Sequence, residues 1–431
     1  MTPRRERVVD ALVLVLAKLA VTGWVLHLGF SHVSDDDYAR TVIAEQFAHA
    51  PRLDPSGTSW LPLPFWLEGA AMMALGRTLA TARAVAVVLA AASVAAPYLA
   101  LRAAGAKRTV AIASVVVAMV LPWNAWLAAA TVPEAWFGAL AAAGAIAMGQ
   151  ARTRPWAAGM LLAASLCRYE AWPVCALLAL ACAWSADGGG KRRRDLACLA
   201  VAVLGPLAWM AWNAHAHGSP FHFVTRVTTF RHAVGAADRS LVEKVFGYPV
   251  ALIEESPEAF VLGLVGLAGL SLPALRARWR WPAVAIASVL LFLVWGDVQD
   301  GAPTHHPARA LAIAWWVLAA MGVDAVDAWG ERLGRRRRTA VVAAAATACV
   351  WSASLPARWA DSPGRSDAES RRAQIAQGLD LRARDVPHIE VRPCAFEQFA
   401  VLAAWGYPER ATVLPRSGEP VTPACPRIVE R

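Results

Sequence analysis

The sequence predicts an all-α polytopic membrane protein with about eleven transmembrane helices, and three observations carry that prediction. Hydrophobic residues make up 57% of the 431 positions and charged residues only 17%, with a mean hydropathy of +0.41, more apolar surface than a water-soluble fold of this size conceals. The Lys and Arg behind the net charge of +10 fall in short clusters between apolar runs. That distribution reads as membrane topology and not as the continuous basic face of a nucleic-acid binder. Many of the 20 Trp stand at the ends of apolar runs, among them Trp24, Trp123, Trp126, Trp172, Trp212 and Trp295, as interfacial aromatics do.

The first apolar run, Val8 to about Leu28, follows Arg4, Arg5 and Arg7. It is too long for a signal-peptide core and lacks a small-residue cleavage site, so it reads as a retained first span. Ten further runs follow at 79–101, 109–127, 133–149, 157–168, 170–186, 196–213, 259–275, 282–296, 308–327 and 339–355. The pair on either side of Arg168-Tyr169-Glu170 reads as two short tilted spans meeting at an outer turn.

Trp60 to Gly76 is a twelfth candidate, and parity decides against its crossing. If it does not cross, Arg102/Lys107/Arg108, Arg152/Arg154, Lys191 to Arg194, Arg276/Arg278/Arg280 and Arg332/Arg335 to Arg338 all share the side of the basic N-terminus. If it does, they all move to the opposite side. It is therefore expected as an amphipathic or re-entrant helix at the outer surface. The outer side then receives the loops 29–78, 214–258 and 297–307. The chain divides into a membrane module, 1–355, and a small extracytoplasmic C-terminal region, 356–431, of α/β character. In that region Cys394 and Cys425 are able to pair in an oxidising compartment. Cys167, Cys175, Cys182, Cys198 and Cys349 lie in or beside apolar runs without metal-ligand spacing and read as small buried hydrophobes.

Polar residues have room to converge on the outer side, so chemistry is expected there. The first outer loop reads His32-Val-Ser-Asp35-Asp36-Asp37-Tyr38-Ala-Arg40. Three adjacent carboxylates repel one another, which raises at least one pKa and suits proton abstraction or cation binding. The plain alternative is a solvated turn with Asp37 capping the next helix. Glu134 precedes the fourth span, and Arg168 with Glu170 forms either a functional pair or a structural ion pair at membrane depth. A guanidinium there also fits a phosphate. Asp297, Asp300, His305, His306 and Arg309 cluster at the outer end of the tenth span; a divalent metal is one reading, though adjacent histidines on a helix diverge and spacing fixes no third ligand. The loop from Trp212 to Phe223, with His215, His217 and His222, reads only as a loop. No Walker, Rossmann, nucleophile-elbow or zinc-finger pattern occurs.

The order of these parts resembles the GT-C superfamily of integral-membrane glycosyltransferases, which includes protein O-mannosyltransferases and lipid A aminoarabinose transferases. The resemblance lies in Asp35-Asp36-Asp37-Tyr38 after the first span, the Pro-rich aromatic stretch Trp60 to Leu67, Arg83, Thr131-Val-Pro-Glu134, Arg168-Tyr169-Glu170-Ala-Trp172, and the block His306-Pro307-Ala-Arg309 to Gly322. The late block lacks the family's usual Tyr, and the tail is shorter than the periplasmic domain of some relatives. What the resemblance implies is an inverting transfer of a sugar from a polyprenyl-phosphate carrier to a lipid, glycan or protein acceptor, with no nucleic-acid partner. The high Ala and Arg content suggests a bacterial chain, for which the membrane is the inner (plasma) membrane and the working face periplasmic. The resemblance further implies that Asp35 or Asp36 is the base, Arg168 and Arg309 bind the phosphate, Glu134 positions the acceptor, and Glu170 and His306 complete the substrate site. A transporter or flippase, with Glu134, Arg168 and Glu170 along a midplane path, is the alternative from another class.

Overall fold

The computed structural model describes residues 3–184, 190–233, 239–301, 306–332, 337–415 and 425–430, without the side chains of 3, 190, 191 and 337–346. His305 and Arg335 lie outside the described residues. In chain order the helices of the N-terminal half are α1 (Pro3–His27), α2 (Asp36–His49), α3 (Leu63–Leu75), α4 (Leu79–Ser93), α5 (Ala95–Ala103), α6 (Arg108–Val120), α7 (Pro122–Ala129), α8 (Glu134–Ala147), α9 (Arg154–Ser165) and α10 (Trp172–Trp184). Then come α11 (Gly190–His217), α12 (His222–Ala233), α13 (Leu241–Glu255), α14 (Pro257–Gly269), α15 (Pro273–Val298), α16 (Ala312–Arg332), α17 (Arg337–Ala360), α18 (Ala368–Ala383) and α19 (Gln398–Trp405).

Among the described residues, five helical stretches are long and apolar enough to cross a membrane: Arg4–His27, Leu79–Ala103, Arg192–His217, Pro273–Val298 and Pro307–Arg332. The bent pair α6 and α7 makes a sixth. Their outward faces carry large apolar side chains such as Leu12, Leu16, Val88, Leu204 and Leu291, which only lipid can cover. The chain is a multi-pass membrane protein. In their apolar 18-residue cores, 83% of the residues of Pro307–Arg332 are buried against 28% for Arg4–His27, so α16 is the axis about which the others pack. Its seam with α14 is built from small residues: a Cβ on Gly266 would come within 2.6 Å of Met321 Cβ, and one on Gly322 within 2.5 Å of the Leu262 carbonyl.

The basic loops meet at one end of the bundle. Arg108 Nη2 reaches Asp10 Oδ1 at 2.6 Å, and Lys107 Nζ reaches Asp327 and Glu331 at 2.5 and 2.6 Å. Arg278 pairs with Asp324 and donates to the Gly105 carbonyl at 2.8 Å, while Arg152 caps Ala103 at 2.7 Å.

Two expectations change. Residues 109–127 do not form one helix: α6 and α7 meet at 70°. Pro122 has no N–H for the Ala118 carbonyl, and Leu121 before it takes ψ 137°. The freed acceptors are all satisfied by side chains. Asn124 Nδ2 donates to Ala118 O at 2.7 Å, Lys18 Nζ to Met119 O at 3.0 Å and Asn124 O at 2.8 Å, and Trp359 Nε1 to Val120 O at 3.0 Å. In a low-dielectric surround each orphan carbonyl would cost several kcal/mol, on the order of a lost hydrogen bond without water to replace it. Cys349, expected to be buried, is exposed on α17, because that helix presents this side outward.

Trp60 to Gly76 contains α3, entered through Pro62 and ended at Gly76, which takes φ 98°. It packs on α2 beside the first loop. The tail is an α/β unit. Strands β1 (Ile389–Arg392), β2 (Ala411–Val413) and β3 (Arg427–Glu430) form a sheet in the order β2-β1-β3, with β1 parallel to β2 and antiparallel to β3. A disulfide joins Cys394 to Cys425. Tyr38 and Val42 of α2 share a core with Ile389, Val401 and Trp405 of the tail. The tail also presses on the first loop at Gly364, where a Cβ would lie 2.3 Å from the His32 carbonyl.

Candidate functional site

At the end of the bundle opposite the basic loops, four segments bring charged side chains together. Glu134 opens α8 behind Pro133, a position where the unpaired N–H groups of a helix favour a carboxylate. Arg168 sits in an extended link after α9 (φ −151°, ψ 148°), and Glu170 lies in the 3-10 turn Tyr169–Ala171 that follows. Arg309 lies in the 3-10 turn Pro307–Leu311 leading into α16; His306 before it holds a left-handed conformation at φ 51°. The first loop supplies the acids.

Glu134 is completely buried and is the hub. Its Oε1 accepts from Arg168 Nη1 at 2.6 Å and from Arg309 Nε and Nη2 at 2.9 and 2.6 Å. Arg168 turns its other donors to Glu170, with Nη2 at 2.6 Å and Nε at 3.0 Å from Oε1. Arg309 Nη1 reaches Asp36 Oδ2 at 2.8 Å and Ser34 Oγ at 3.1 Å. Asp36, Arg309, Glu134, Arg168 and Glu170 therefore form one continuous chain of charge-assisted hydrogen bonds. Of these, Asp36 is the most open, with 37% of its side chain exposed.

The three aspartates diverge. Asp35 turns to the tail, where Arg371 Nη2 lies 2.8 Å from its Oδ1; burial raises its pKa above the usual carboxyl value, against the pull of Arg371. Asp37 is fully buried and holds the loop itself: Oδ2 accepts from the N–H of Val33 at 3.0 Å and Ser34 at 3.3 Å, and Oδ1 from the N–H of Thr131 at 2.9 Å. The plain alternative, a solvated turn with Asp37 capping α2, is not what it does. The capping position belongs to Asp35, which makes no side-chain cap bond. Asp37 instead staples the first loop to the segment before Glu134, so the loop's position is set from across the chain.

Arg40 is the residue that sequence reading missed. Only 3% exposed, it lies over the rings of Trp60 at 4.5 Å and Phe65 at 5.5 Å. Its Nε and Nη1 are buried without a hydrogen-bond partner. Burial lowers its pKa, opposed first by Glu134 and then by Asp36. A signal was present: Arg40 stands four residues after Asp36 on one helix, but that spacing reads equally well as an exposed pair. Glu68 on α3 is buried as well, with one carboxylate oxygen unpartnered, and burial raises its pKa well above the usual range.

The other candidates are distributed differently. The carboxylates of the metal reading are engaged with cations: Asp297 pairs with Arg231 at 2.6 Å and Arg239 at 3.1 Å, and Asp300 with Lys244 at 2.8 Å. Among the described residues, the single grouping of metal-type ligands is Cys394, Glu397 and Cys425, whose thiols are joined to each other. His306 faces Trp123, ring centres 5.6 Å apart. Arg83 reaches back to the Ser31 carbonyl. His217 and His222 stack at 4.1 Å, apart from the charge cluster.

Chemically, three guanidinium groups face three carboxylates in a largely water-free space, and one of the three, Arg40, keeps two buried nitrogens without a hydrogen-bond partner. Such a centre is able to receive an anion from the outer end while an acid at its rim accepts a proton.

The chain is similar to ArnT from Cupriavidus metallidurans bound to undecaprenyl phosphate, with a TM-score of 0.47 at 16% identity over 92% of this chain and 75% of that one. ArnT from the same organism in the apo state gives 0.46 at 14% identity with the same coverage. No family model matches the sequence, and no curated protein does.

Proposed function

We propose that this protein is a glycosyltransferase of the GT-C kind, moving a sugar from a polyprenyl-phosphate carrier to an acceptor at the extracytoplasmic face of the inner membrane. The observation that carries this reading is the meeting of the acidic first loop with Arg168, Arg309 and Arg40 around buried Glu134. Eleven passages are consistent with it: α1, α4–α5, α6–α7, α8, α9, α10, α11, α14, α15, α16 and α17, with the basic loops inside and the charge cluster outside.

In this reading Asp36 is the base. It is the open member of the acidic loop and shares Arg309 with Glu134, whereas Asp35 is held by the tail and Asp37 by backbone amides. The acceptor hydroxyl gives its proton to Asp36 and its oxygen attacks the anomeric carbon. The bond from that carbon to the phosphate oxygen breaks on the opposite side, and the electron pair leaves with the lipid phosphate. Arg309 and Arg168 stabilise the developing charge, and Arg40 supplies unused donors beside them. Glu134 holds the two shared guanidinium groups in place before the lipid arrives and keeps their charges from repelling one another.

The test is transfer from a radiolabelled polyprenyl-phosphate sugar in membranes containing the protein. Asp36→Asn should lower transfer by at least about a hundredfold, the usual worth of a general base, and the double variant with Asp35→Asn should abolish it. Full activity in the double variant would sink the proposal. Solute flux into proteoliposomes without sugar transfer would favour a transporter.

A further inference from the structure

Next to the charge cluster, the outer end of the bundle holds a half-open cleft of about 360 Å³ that the mechanism above does not use. Trp123, Trp126, Glu255, His306, Arg358 and Asp361 line it. Trp123 Nε1 donates to Glu255 Oε2 at 2.7 Å, and the Trp126 ring meets Trp123 edge-on at 5.4 Å. The cleft and the cluster share one wall: the His306 carbonyl accepts from the Arg309 N–H at 2.9 Å, so they border the same 3-10 turn.

The lining selects by exclusion. Two carboxylates disfavour an anion, and an apolar ligand would strip water from four polar side chains. A ring with hydroxyls around its rim and C–H groups on its faces meets both demands. Glu255 and Asp361 accept from hydroxyls, Arg358 and His306 donate to them, and the indoles with Pro122 and Pro363 cover the apolar faces. Glu255 is half-buried, and burial raises its pKa; a hydroxyl donor returns part of the solvation it has lost.

A second observation is what the chain spends to hold this wall. Trp123 and Trp126 stand on α7 directly after the break at Pro122, and that break is secured by Lys18, a cation 2% exposed within the first span. Charges at membrane depth are expensive and persist for a reason. Trp359 closes the same wall from the far end of the chain: its Nε1 donates to Val120 O, and its carbonyl accepts from Trp126 Nε1 at 2.9 Å.

We propose that this cleft is a saccharide subsite, binding a pyranose ring of the acceptor beside the Arg309 turn. The proposal rests on the glycosyltransferase reading for the word acceptor, and on the cleft alone for the saccharide. The experiment uses the full chain in lipid nanodiscs, so that no sugar-headed detergent competes. Saturation-transfer NMR is recorded with methyl β-D-glucopyranoside, methyl α-D-mannopyranoside and N-acetylglucosamine, and binding of undecaprenyl phosphate is measured on the same samples.

At least one pyranoside should show transfer. Asp361→Asn, at a side chain 83% exposed and therefore indifferent to folding, and Glu255→Gln, which keeps an acceptor for Trp123, should each weaken it by about tenfold, the worth of one charged hydrogen bond. Undecaprenyl phosphate binding should be unchanged in both. No transfer from any of the three sugars, or equal transfer in both variants, overturns the proposal. A wild-type protein that fails to bind undecaprenyl phosphate but gives pyranoside signals sensitive to Asp361 counts against the glycosyltransferase reading and leaves the saccharide site standing.

Discussion

Replacing Glu134 by Gln keeps an acceptor oxygen at the hub and removes only its charge. Arg168 Nη1 and Arg309 Nη2 both lie 2.6 Å from Glu134 Oε1. These two nitrogens are therefore no more than about 5 Å apart, and at an effective dielectric near 20 two unit charges at that distance repel by about 3 kcal/mol. In the wild type the shared carboxylate offsets this repulsion from between the two groups; in the variant only their outer partners remain, Glu170 on Arg168 and Asp36 on Arg309. The expected loss of stability is about 3–5 kcal/mol, the range seen when one partner of a buried charge cluster is removed. An anion that settles between the arginines supplies the missing charge, so undecaprenyl phosphate should stabilise the variant more than the wild type. At a hundred times its Kd a ligand adds about 2.7 kcal/mol, enough to recover most of the loss. The assay is thermal unfolding followed by tryptophan fluorescence, with and without the lipid. Equal stability of the two proteins without ligand, or an equal lipid-induced shift, would refute the account of Glu134 as the internal counter-charge of an anion site.

Three further outcomes follow from the same geometry. Arg40→Met keeps much of the length over Trp60 and Phe65 and removes unused donors, so lipid-phosphate affinity should fall by about tenfold, one charged hydrogen bond, with little change in melting temperature; a titration with undecaprenyl phosphate decides it. Arg371→Ala releases Asp35 from the tail, and hydrogen exchange should show residues 31–36 opening faster while the membrane helices stay protected; unchanged exchange there would mean the tail does not order the acidic loop. Glu45 is fully buried on α2 with both carboxylate oxygens unpartnered, and burial raises its pKa well above the ordinary range. Because the folded state keeps this proton to a higher pH than the unfolded chain, the contribution is favourable below the unfolded carboxyl value and is lost as pH rises through the folded one. Glu45→Gln should therefore raise the melting temperature at neutral pH and make no difference near pH 4, and a pH series of melts on both proteins checks the crossover.

The membrane character and the break between α9 and α10 were legible because they depend on local quantities. A run of apolar residues long enough to cross lipid admits few other structures, and Arg168-Tyr169-Glu170 interrupts one visibly. The bend at Leu121-Pro122 was legible in principle from the proline, but the apolar run continues through it, and the compensating donors come from Lys18 and Trp359, far off in sequence. The acidic loop was found as a unit, yet the division of labour within it was not. Adjacent aspartates look alike in a sequence, and what separates them is that Arg371, Arg309 and the Thr131 amide approach from three directions.

The sequence by itself determined a multi-pass helical protein, its basic loops, an acidic first loop, and the residue types Glu134, Arg168, Glu170 and Arg309 as ones to watch, because charge beside apolar runs is costly wherever the chain goes. Only the tertiary structure decided that Glu134 is the shared partner of both arginines, that Arg40 is buried with donors unused, and that Asp35 belongs to the tail. Burial and pairing are properties of what the rest of the fold brings to a residue, and spacing along the chain does not contain them.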